Sequence, residues 1–502
     1  MTQELAKRSF QAVIWNYIGG VGKIVAQLAI QVCLARMLGP EIFGRYAVIL
    51  VVIGLGWLFA DSGFGSALVQ KETIKDEDIA YALGWVLLLS MITGLLVSVF
   101  SPLIASLIGD LSLKLPIAVC GIVIVLQALA NLSASLMRRE LDMKRYQIIQ
   151  LSGYLIGFGV VAIALAYRGA GVWSLVIGFL VQTLINLVLC YLSVRHTLKP
   201  ILNGDKALRD FGLKVLGTNI SNWAIDNLDR FLIGRQWGIS SLGAYAAASN
   251  LSRAPTAMLV SSIQSVVFSS AARVQTEPAR LKRGYLAVVS LTALITFPLF
   301  LLLAYKAEFI IHLLYGQRWA EAIPLFSAFC VSVPLYVLLS ITGPILWAIG
   351  AVGSEFKIQL FSATLLLIGL ILLRNFPLKT VVWFIPCIYL LRLLLVYSVL
   401  AQKIGLKHLE VLRASLGGGL LAAAIILVEA LVVLITPAEM NNYYIKDIFQ
   451  ILMAGLTCLL LIRAFPDLMF GKELSDILLA RTKDSKLAKV ICGLLALKVK
   501  AQ

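Results

Sequence analysis

The sequence predicts an all-α polytopic membrane protein with about 14 transmembrane helices. Hydrophobic residues make up 60% of the 502-residue chain and charged residues only 14%, whereas a soluble domain carries about 25% charged residues. Apolar runs of about 20 residues recur along the chain, and each is long enough to cross a hydrocarbon core about 30 Å thick. A twelve-residue segment also occurs twice. These observations predict two six-helix lobes in a parallel pseudo-twofold repeat, plus two additional helices.

The apolar runs define the predicted spans, and the charges between them define the topology. The spans lie near 12–35, 46–69, 82–109, 116–136, 147–167, 171–194, 212–235, 242–269, 285–305, 321–349, 357–373, 380–401, 414–435 and 447–465. With a cytoplasmic N-terminus, the inner segments hold about three times as many Lys and Arg residues as the outer loops, as the positive-inside rule requires. Both termini are therefore predicted to be cytoplasmic, and the net charge of +17 needs no nucleic-acid partner.

The duplicated segment runs from Arg36 to Ala47 and returns 199 residues later, from Arg235 to Ala246. Five of the twelve positions are identical: Arg36/Arg235, Gly39/Gly238, Gly44/Gly243, Tyr46/Tyr245 and Ala47/Ala246. Six predicted spans lie between the copies, an even number, so the two copies run in the same direction. The repeat axis is therefore expected along the membrane normal.

The repeat divides the chain into four predicted parts. Residues 1–200 form an N-lobe with spans one to six, and residues 201–402 form a C-lobe with spans seven to twelve. Residues 403–465 add spans thirteen and fourteen, which have no counterpart in the repeat. Residues 466–502 place apolar side chains at helical spacing among lysines, which predicts an amphipathic basic tail on the cytoplasmic surface.

Polar side chains at bilayer depth are the strongest chemical signal. Each ionisable residue there costs at least about 2.5–3.5 kcal/mol, so such residues usually face a cavity or a partner. The helices that precede the two copies of the duplicated segment carry polar residues at i, i+4 and i+8. This spacing keeps the polar residues on one face of each helix. These stripes are Lys23, Gln27 and Gln31 in the first helix, and Asn222, Asp226 and Arg230 at the same offset in the second.

Two interpretations of these charges stay open. In the first, Lys23, Arg230 and Arg253 present cationic donors to an anionic substrate, because guanidinium and ammonium groups suit phosphate oxygens. In the second, Asp226 or Asp229 forms an ion pair with Arg253. Both carboxylates are also candidate ion-coupling sites, since burial makes them titratable.

Three further features have less specific roles. Asp61 is a candidate coupling residue or only a cap at an irregular helix end. Arg392 is available for substrate contact, for pairing or for snorkelling. Gly19, Gly20 and Gly22 interrupt the first helix and form a candidate hinge, or else a small-residue packing surface.

Catalytic and metal-binding motifs are missing from the sequence. The three histidines have no cysteine or carboxylate at metal-ligand spacing, and no nucleophile elbow or phosphate-binding glycine loop occurs. We therefore expect a protein that is not an enzyme and that needs no cofactor and no metal.

The segment Asn219–Gly234, followed by Leu242–Tyr245, resembles the polysaccharide-transporter branch of the multidrug/oligosaccharidyl-lipid/polysaccharide exporters. The segment Ala35–Tyr46 looks like the matching signature after the first helix. Within that superfamily the chain is most similar to Wzx-type flippases of the colanic-acid-exporter kind. The resemblance implies outward flipping of an undecaprenyl-diphosphate-linked oligosaccharide across a bacterial inner membrane, for exopolysaccharide or O-antigen assembly.

The resemblance also suggests roles for residues and partners. The lipid diphosphate would meet Lys23, Arg230, Arg253 and Arg392 in a cavity that opens alternately to each side, while its sugars would meet Gln27, Gln31, Asn219 and Asn222. Membrane lipids and polysaccharide polymerase machinery are the implied partners. The alternatives are a cation-coupled multidrug exporter of the same superfamily, with Asp226 and Asp229 as substrate partners, and a membrane glycosyltransferase.

Overall fold

The computed structural model describes residues 2–61, 63–203, 223, 227–274, 277–435, 443–466, 468–470 and 474. Within these ranges all regular secondary structure is helical. Eleven helical segments of the described part are long and apolar enough to cross a membrane, so the chain is a multi-pass membrane protein. The number fourteen and the lobe boundaries at 200 and 402 stay predictions. The chain divides into two compact units, Met1–Ala247 and Ala248–Gln502.

The helices are numbered in chain order. The first unit contains α1 (Thr2–Asp61), α2 (Phe64–Gln70), α3 (Asp76–Val99), α4 (Ser101–Ile108), α5 (Lys114–Arg139), α6 (Met143–Tyr154), α7 (Ile163–Tyr167), α8 (Val172–Val194) and α9 (227–237). A π-helical stretch, Leu155–Ala162, joins α6 to α7. The helix α10 (Ile239–Arg273) begins in the first unit.

The second unit follows within α10. It contains α11 (Pro278–Tyr305), α12 (Ala307–Leu314), α13 (Ala322–Ala348), α14 (Val352–Leu372), α15 (Leu378–Val381), α16 (Phe384–Ile404), α17 (His408–Ile435) and α18 (Tyr443–Ala464). The two helices without a repeat counterpart, predicted as spans thirteen and fourteen, are α17 and α18.

The duplicated segment is a helix break in both copies. Within α1, Gly39 has φ 75° and Pro40 follows, so the element consists of two helices joined at a kink. The equivalent Gly238 has φ 91° and separates α9 from α10. Residues with a side chain rarely adopt a positive φ, which explains why the same residue type stands at this position in both copies.

The two copies of the break also pack against each other. A Cβ atom placed on Gly44 would overlap the carbonyl oxygen of Ile239, and one placed on Gly243 would overlap the carbonyl oxygen of Pro40. Pro40 and Ile239 are equivalent under the 199-residue shift, as are the two glycines. The contact therefore repeats with the partners exchanged, which is the pattern that twofold symmetry produces.

Other small residues bring helices together at the centre of the first unit. Gly94 of α3 and Gly121 of α5 lie so close that a Cβ on either would crowd the carbonyl oxygen of the other. The rings of Phe64, Tyr81 and Trp85 also pack together in this unit. Close backbone approach through small residues is the usual means of helix association in membranes.

The added helix α17 packs tightly within the second unit. Gly418 lies against the carbonyl of Ala293 in α11, and Gly417 against the carbonyl of Met469. The hydroxyl of Ser290 donates to the carbonyl of Phe470 at 2.7 Å, so the start of the predicted tail belongs to this core. Apart from 468–470 and 474, the tail beyond residue 466 lies outside the described residues.

Candidate functional site

The first polar stripe lies on α1 and contacts α6, which is in turn hydrogen-bonded to α8. Lys23, Gln27 and Gln31 are all half-buried. The Lys23 ammonium donates to Oε1 of Gln150 on α6 at 3.5 Å, and the same oxygen accepts from Nδ2 of Asn186 on α8 at 3.5 Å. An ammonium has three N–H donors, and in the described part of the chain Lys23 uses only one. The stripe thus retains donors for a ligand.

The candidate hinge glycines lie one turn before Lys23. The helix α1 continues across Gly19, Gly20 and Gly22 without a break. A Cβ on Gly19 would crowd the side chain of Gln147 on α6, while Gly20 and Gly22 face open space. Close packing therefore explains Gly19, and a hinge at the other two glycines stays a prediction.

A cavity of about 580 Å³ lies within the first unit, among α1, α3, α4, α9 and the start of α10. Its walls are almost entirely hydrocarbon. The lining residues are Val48, Val51, Val52, Leu55, Gly56, Leu89, Ile92, Thr93, Leu96, Val97, Ile104, Leu107, Ile108, Trp223, Asn227, Leu228, Arg230, Phe231, Gly234 and Leu242. Arg230 is the one charged residue among these described lining residues.

The neighbouring carboxylate, Asp229, is bound on both oxygens. Its Oδ2 accepts from the hydroxyl of Tyr245 at 2.6 Å, and its Oδ1 accepts from the backbone N–H of Arg230 at 2.8 Å. Tyr245 belongs to α10, so this bond joins the helices on either side of the second break. The guanidinium of Arg230 has no ion pair among the described residues and is available to an anion.

The cavity-facing side of α9 includes residues that sequence reasoning did not select. Trp223 and Asn227 line the cavity together with Arg230 and Gly234. The spacing of three or four residues keeps all four on one helical face, and this periodicity was the signal that could have identified them. The indole N–H of Trp223 is buried and has no acceptor in the described part of the chain.

The other predicted site residues are distributed as follows. Arg253 on α10 is exposed. Arg392 on α16 donates from Nη2 to Oε1 of Gln359 on α14 at 3.3 Å and forms no ion pair within the described residues. Both arginines belong to the second unit, so their placement beside Lys23 and Arg230 stays a prediction.

Four predicted residues have no described side-chain geometry. Asn219, Asn222 and Asp226 lie outside the described residues. Asp61 is the last residue of α1, and its side chain is likewise outside them. Their roles in binding or coupling stay predictions. Within the described residues, no group of three or more His, Cys, Asp and Glu side chains is placed to hold a metal ion.

A multi-pass helical protein with a duplicated helix break and an apolar cavity among its helices has the architecture of a membrane transporter. The fold is similar to that of the lipid II flippase MurJ in an inward closed conformation. The TM-score is 0.70 at 17% identity, and the match covers 90% of this chain and 98% of MurJ. The chain belongs to the family described as polysaccharide biosynthesis proteins, whose model matches residues 33–324.

Two curated relatives match most of the chain. It is 25% identical over 348 residues to the succinoglycan biosynthesis transport protein ExoT of Rhizobium meliloti, covering 69% of this chain and 70% of the relative. It is 26% identical over 381 residues to the lipopolysaccharide biosynthesis protein WzxC of Escherichia coli, covering 73% and 75%. These matches confirm the family resemblance that was inferred from the duplicated segment and the helix before its second copy.

Proposed function

We propose that this protein flips an undecaprenyl-diphosphate-linked oligosaccharide from the cytoplasmic to the outer leaflet of a bacterial inner membrane. Membership of the polysaccharide biosynthesis family supports this proposal. So do the transport role in the name of ExoT and the flippase role in the name of MurJ. The exported unit would serve exopolysaccharide or O-antigen assembly, and the protein itself would catalyse no covalent step.

The observation that carries the proposal is the pairing of Arg230 with an apolar cavity. A lipid-linked diphosphate has a hydrocarbon chain joined directly to an anionic group. The hydrocarbon walls suit the prenyl chain next to the diphosphate, while the guanidinium suits its oxygens, to which it donates two parallel hydrogen bonds. Neither a neutral lipid nor a free sugar phosphate would use both features.

The polar stripe of α1 is suited to the head group of the same substrate. Lys23 retains N–H donors for phosphate, and the amides of Gln27 and Gln31 both donate and accept hydrogen bonds, as sugar hydroxyls require. Asn219 and Asn222 would add further amides, and Arg253 and Arg392 would add cations from the second unit. Alternating access, with bending near Gly20 and Gly22, would carry the head group across.

The membrane potential supplies a driving force for this direction of transport. An inside-negative potential favours outward movement of an anion, and two net negative charges release about 4–5 kcal/mol per 100 mV. The proposed orientation keeps both termini in the cytoplasm and hands the product to polymerase machinery on the outer side. Ion coupling through Asp61, Asp226 or Asp229 is a further proposal for the same cycle.

Polymer export in a strain that lacks the gene tests the proposal. We expect R230Q to insert normally and to lower export by about tenfold or more, because it removes the one charge among the described lining residues. R230K is expected to restore part of the export, since it keeps the charge and loses the bidentate geometry. R235Q is the matched control, because Arg235 is exposed and does not line the cavity.

The same strains separate the proposal from its main alternative. A cation-coupled drug exporter predicts altered drug sensitivity in the deletion strain and normal polymer export by R230Q. Equal polymer export by wild type and R230Q, with R230Q present at wild-type levels in the membrane, contradicts the proposed role of the cavity.

A further inference from the structure

Lys23 on α1, Gln150 on α6 and Asn186 on α8 meet at one oxygen atom. Oε1 of Gln150 accepts from Nζ of Lys23 and from Nδ2 of Asn186, and both donor–acceptor distances are 3.5 Å. Hydrogen bonds from N–H groups to oxygen are usually about 2.7–3.2 Å long, so Gln150 satisfies neither donor well. An anion is a stronger acceptor than an amide carbonyl and can compete for the same N–H groups.

The helices around Lys23 supply no acidic partner for it. Lys23 forms no ion pair among the described residues, and α5, α6 and α8, three of the helices that contact α1, contain no Asp or Glu. The nearest acidic residues along α1 are Glu4 and Glu41, each about five helical turns away. A charged side chain at bilayer depth usually faces a partner or a cavity. An anionic ligand is therefore the partner that suits this environment.

The two contacts also define the direction of the Gln150 amide. Lys23 and Asn186 both offer N–H groups to it, so the carbonyl end of Gln150 faces them and its NH2 group points away. Lys23 and Gln150 are half-buried, and the NH2 group of Gln150 donates to no described residue. Both side chains thus retain N–H donors, while the one acceptor between them is already used. This arrangement suits the oxygens of an anion and does not suit a cation.

Asn186 supports the Gln150 amide from the buried side. Only 7% of its surface is exposed, and its Oδ1 fills the space beside Gly153 that a Cβ would otherwise occupy. Turning the Asn186 amide over would direct its carbonyl oxygen at the carbonyl oxygen of Gln150, which is unfavourable. Its Nδ2 group therefore stays directed at Gln150, and Asn186 is a positioning residue that acts through Gln150.

We propose that Lys23 and Gln150 bind an oxyanion of the transported head group, at a site separate from the cavity that Arg230 lines. The described lining residues of that cavity include none from α6 or α8, and those from α1 all follow the break at Gly39. The oxyanion is a phosphate of the carrier or a carboxylate of an acidic sugar, since both present similar oxygens. The inference rests on the proposed function for the identity of the carrier lipid.

Equilibrium binding to the purified full chain in detergent tests this site. The probes are undecaprenyl diphosphate and two undecaprenyl-diphosphate-linked disaccharides, one ending in glucose and one in glucuronic acid. We expect K23Q and Q150L each to weaken binding by about tenfold or more, because each removes donors to the oxyanion. Weaker binding of all three probes assigns the site to the diphosphate, and weaker binding of the glucuronic acid probe alone assigns it to the sugar carboxylate.

K114Q is the matched control for K23Q and should bind every probe as wild type does, because Lys114 is exposed at the start of α5. The role of Asn186 is tested by its dependence on Gln150. N186L should weaken binding in the wild-type background and have no further effect in the Q150L background. A merely structural role would weaken binding in both backgrounds, and that result overturns the positioning role.

The same measurements distinguish failure of this site from failure of the proposed function. Binding of every probe by K23Q and Q150L at the wild-type affinity overturns the site, whereas R230Q reports separately on the cavity. If wild type binds none of the lipid probes, the proposed substrate is wrong. Pyrophosphate and glucuronate then become the probes. The site is overturned if wild type binds neither of them, or if K23Q binds them equally well.

Discussion

Gly44 and Gly243 occupy the same position in the two copies of the duplicated segment, and each lies against the backbone of the other copy. Gly44 contacts the carbonyl of Ile239, and Gly243 contacts the carbonyl of Pro40. The break that interrupts each helix is thus also the place where the two copies touch. A sequence repeat and a structural crossing coincide at one pair of residues.

This relationship predicts that alanine is not tolerated at either glycine. We expect G44A and G243A to destabilise the protein to a similar extent, by at least about 1–3 kcal/mol, because overpacking at a fixed backbone contact forces the helices apart. Thermal unfolding of the full chain in detergent measures the effect. G20A is the control, since Gly20 is helical and no atom lies within 4 Å of its added Cβ. Wild-type melting of G44A would contradict the close crossing.

The bond between Asp229 and Tyr245 predicts different effects at the two repeated tyrosines. Y245F should cost about 1.5–3 kcal/mol, since it removes a hydrogen bond to a charged group. Tyr46 is the equivalent residue and packs on Phe158 with ring centroids 6.3 Å apart. The position equivalent to Asp229 is Ile30. Y46F should therefore change stability little. Equal melting temperatures of the two variants would show that the hydrogen bond is unimportant.

The loop before α5 predicts a pH-dependent contribution to stability. Burial opposes ionisation of Asp110, but hydrogen bonds from Ser112 and Arg45 outweigh it and hold the pKa of Asp110 below its ordinary value. The Arg45 Nε atom lies 2.8 Å from Oδ2 of Asp110. A lowered folded-state pKa stabilises the protein above the unfolded pKa of about 3.9, and this stabilisation is lost as pH falls through the folded value.

D110N is therefore expected to melt earlier than wild type at neutral pH, by about 1 kcal/mol in free energy of unfolding. The difference should shrink as the pH is lowered below about 4. Thermal unfolding over a pH series measures it. Asp142 provides the control D142N, because its salt bridge to Arg145 is more exposed. A difference that stays constant down to acidic pH would exclude the Asp110 carboxylate as its source.

Gly20 of α1, whose added Cβ would meet no neighbouring atom, predicts that one substitution can raise stability and lower transport. G20A should raise helix stability by up to about 1 kcal/mol, since alanine is the better helix former. It should also lower polymer export if α1 bends there during transport. Gly455 on α18 also faces open space, so G455A is the matched control with normal export. Export by G20A at the wild-type rate would remove the hinge from the mechanism.

The sequence predicts the helical membrane fold and the repeated break well, because both follow from local properties. Span length and composition identify the membrane helices, and Gly39 and Gly238 mark positions that need a positive φ. The contact between Gly44 and Ile239 is different in kind. It depends on which helix faces which across the crossing, and a single sequence does not encode that in any short pattern.

Parts of the candidate site were beyond sequence reasoning for the same reason. Lys306 stands at the end of an apolar run in the sequence, yet it is buried because α17 and α18 bring Glu429 and Asp447 to it. The sequence selects Arg230 as a polar residue in an apolar helix, but the cavity that it lines is formed by several separate helices.

The most direct test of the proposed function is translocation by the purified full chain in sealed liposomes. The probe is an undecaprenyl-diphosphate-linked oligosaccharide placed in one leaflet, and its appearance in the other leaflet is measured with an inside-negative potential. We predict transfer by wild type and R235Q, with transfer by R230Q about tenfold slower or less. The account would be contradicted if R230Q transferred the probe at the wild-type rate. It would also be contradicted if folded wild-type protein transferred none.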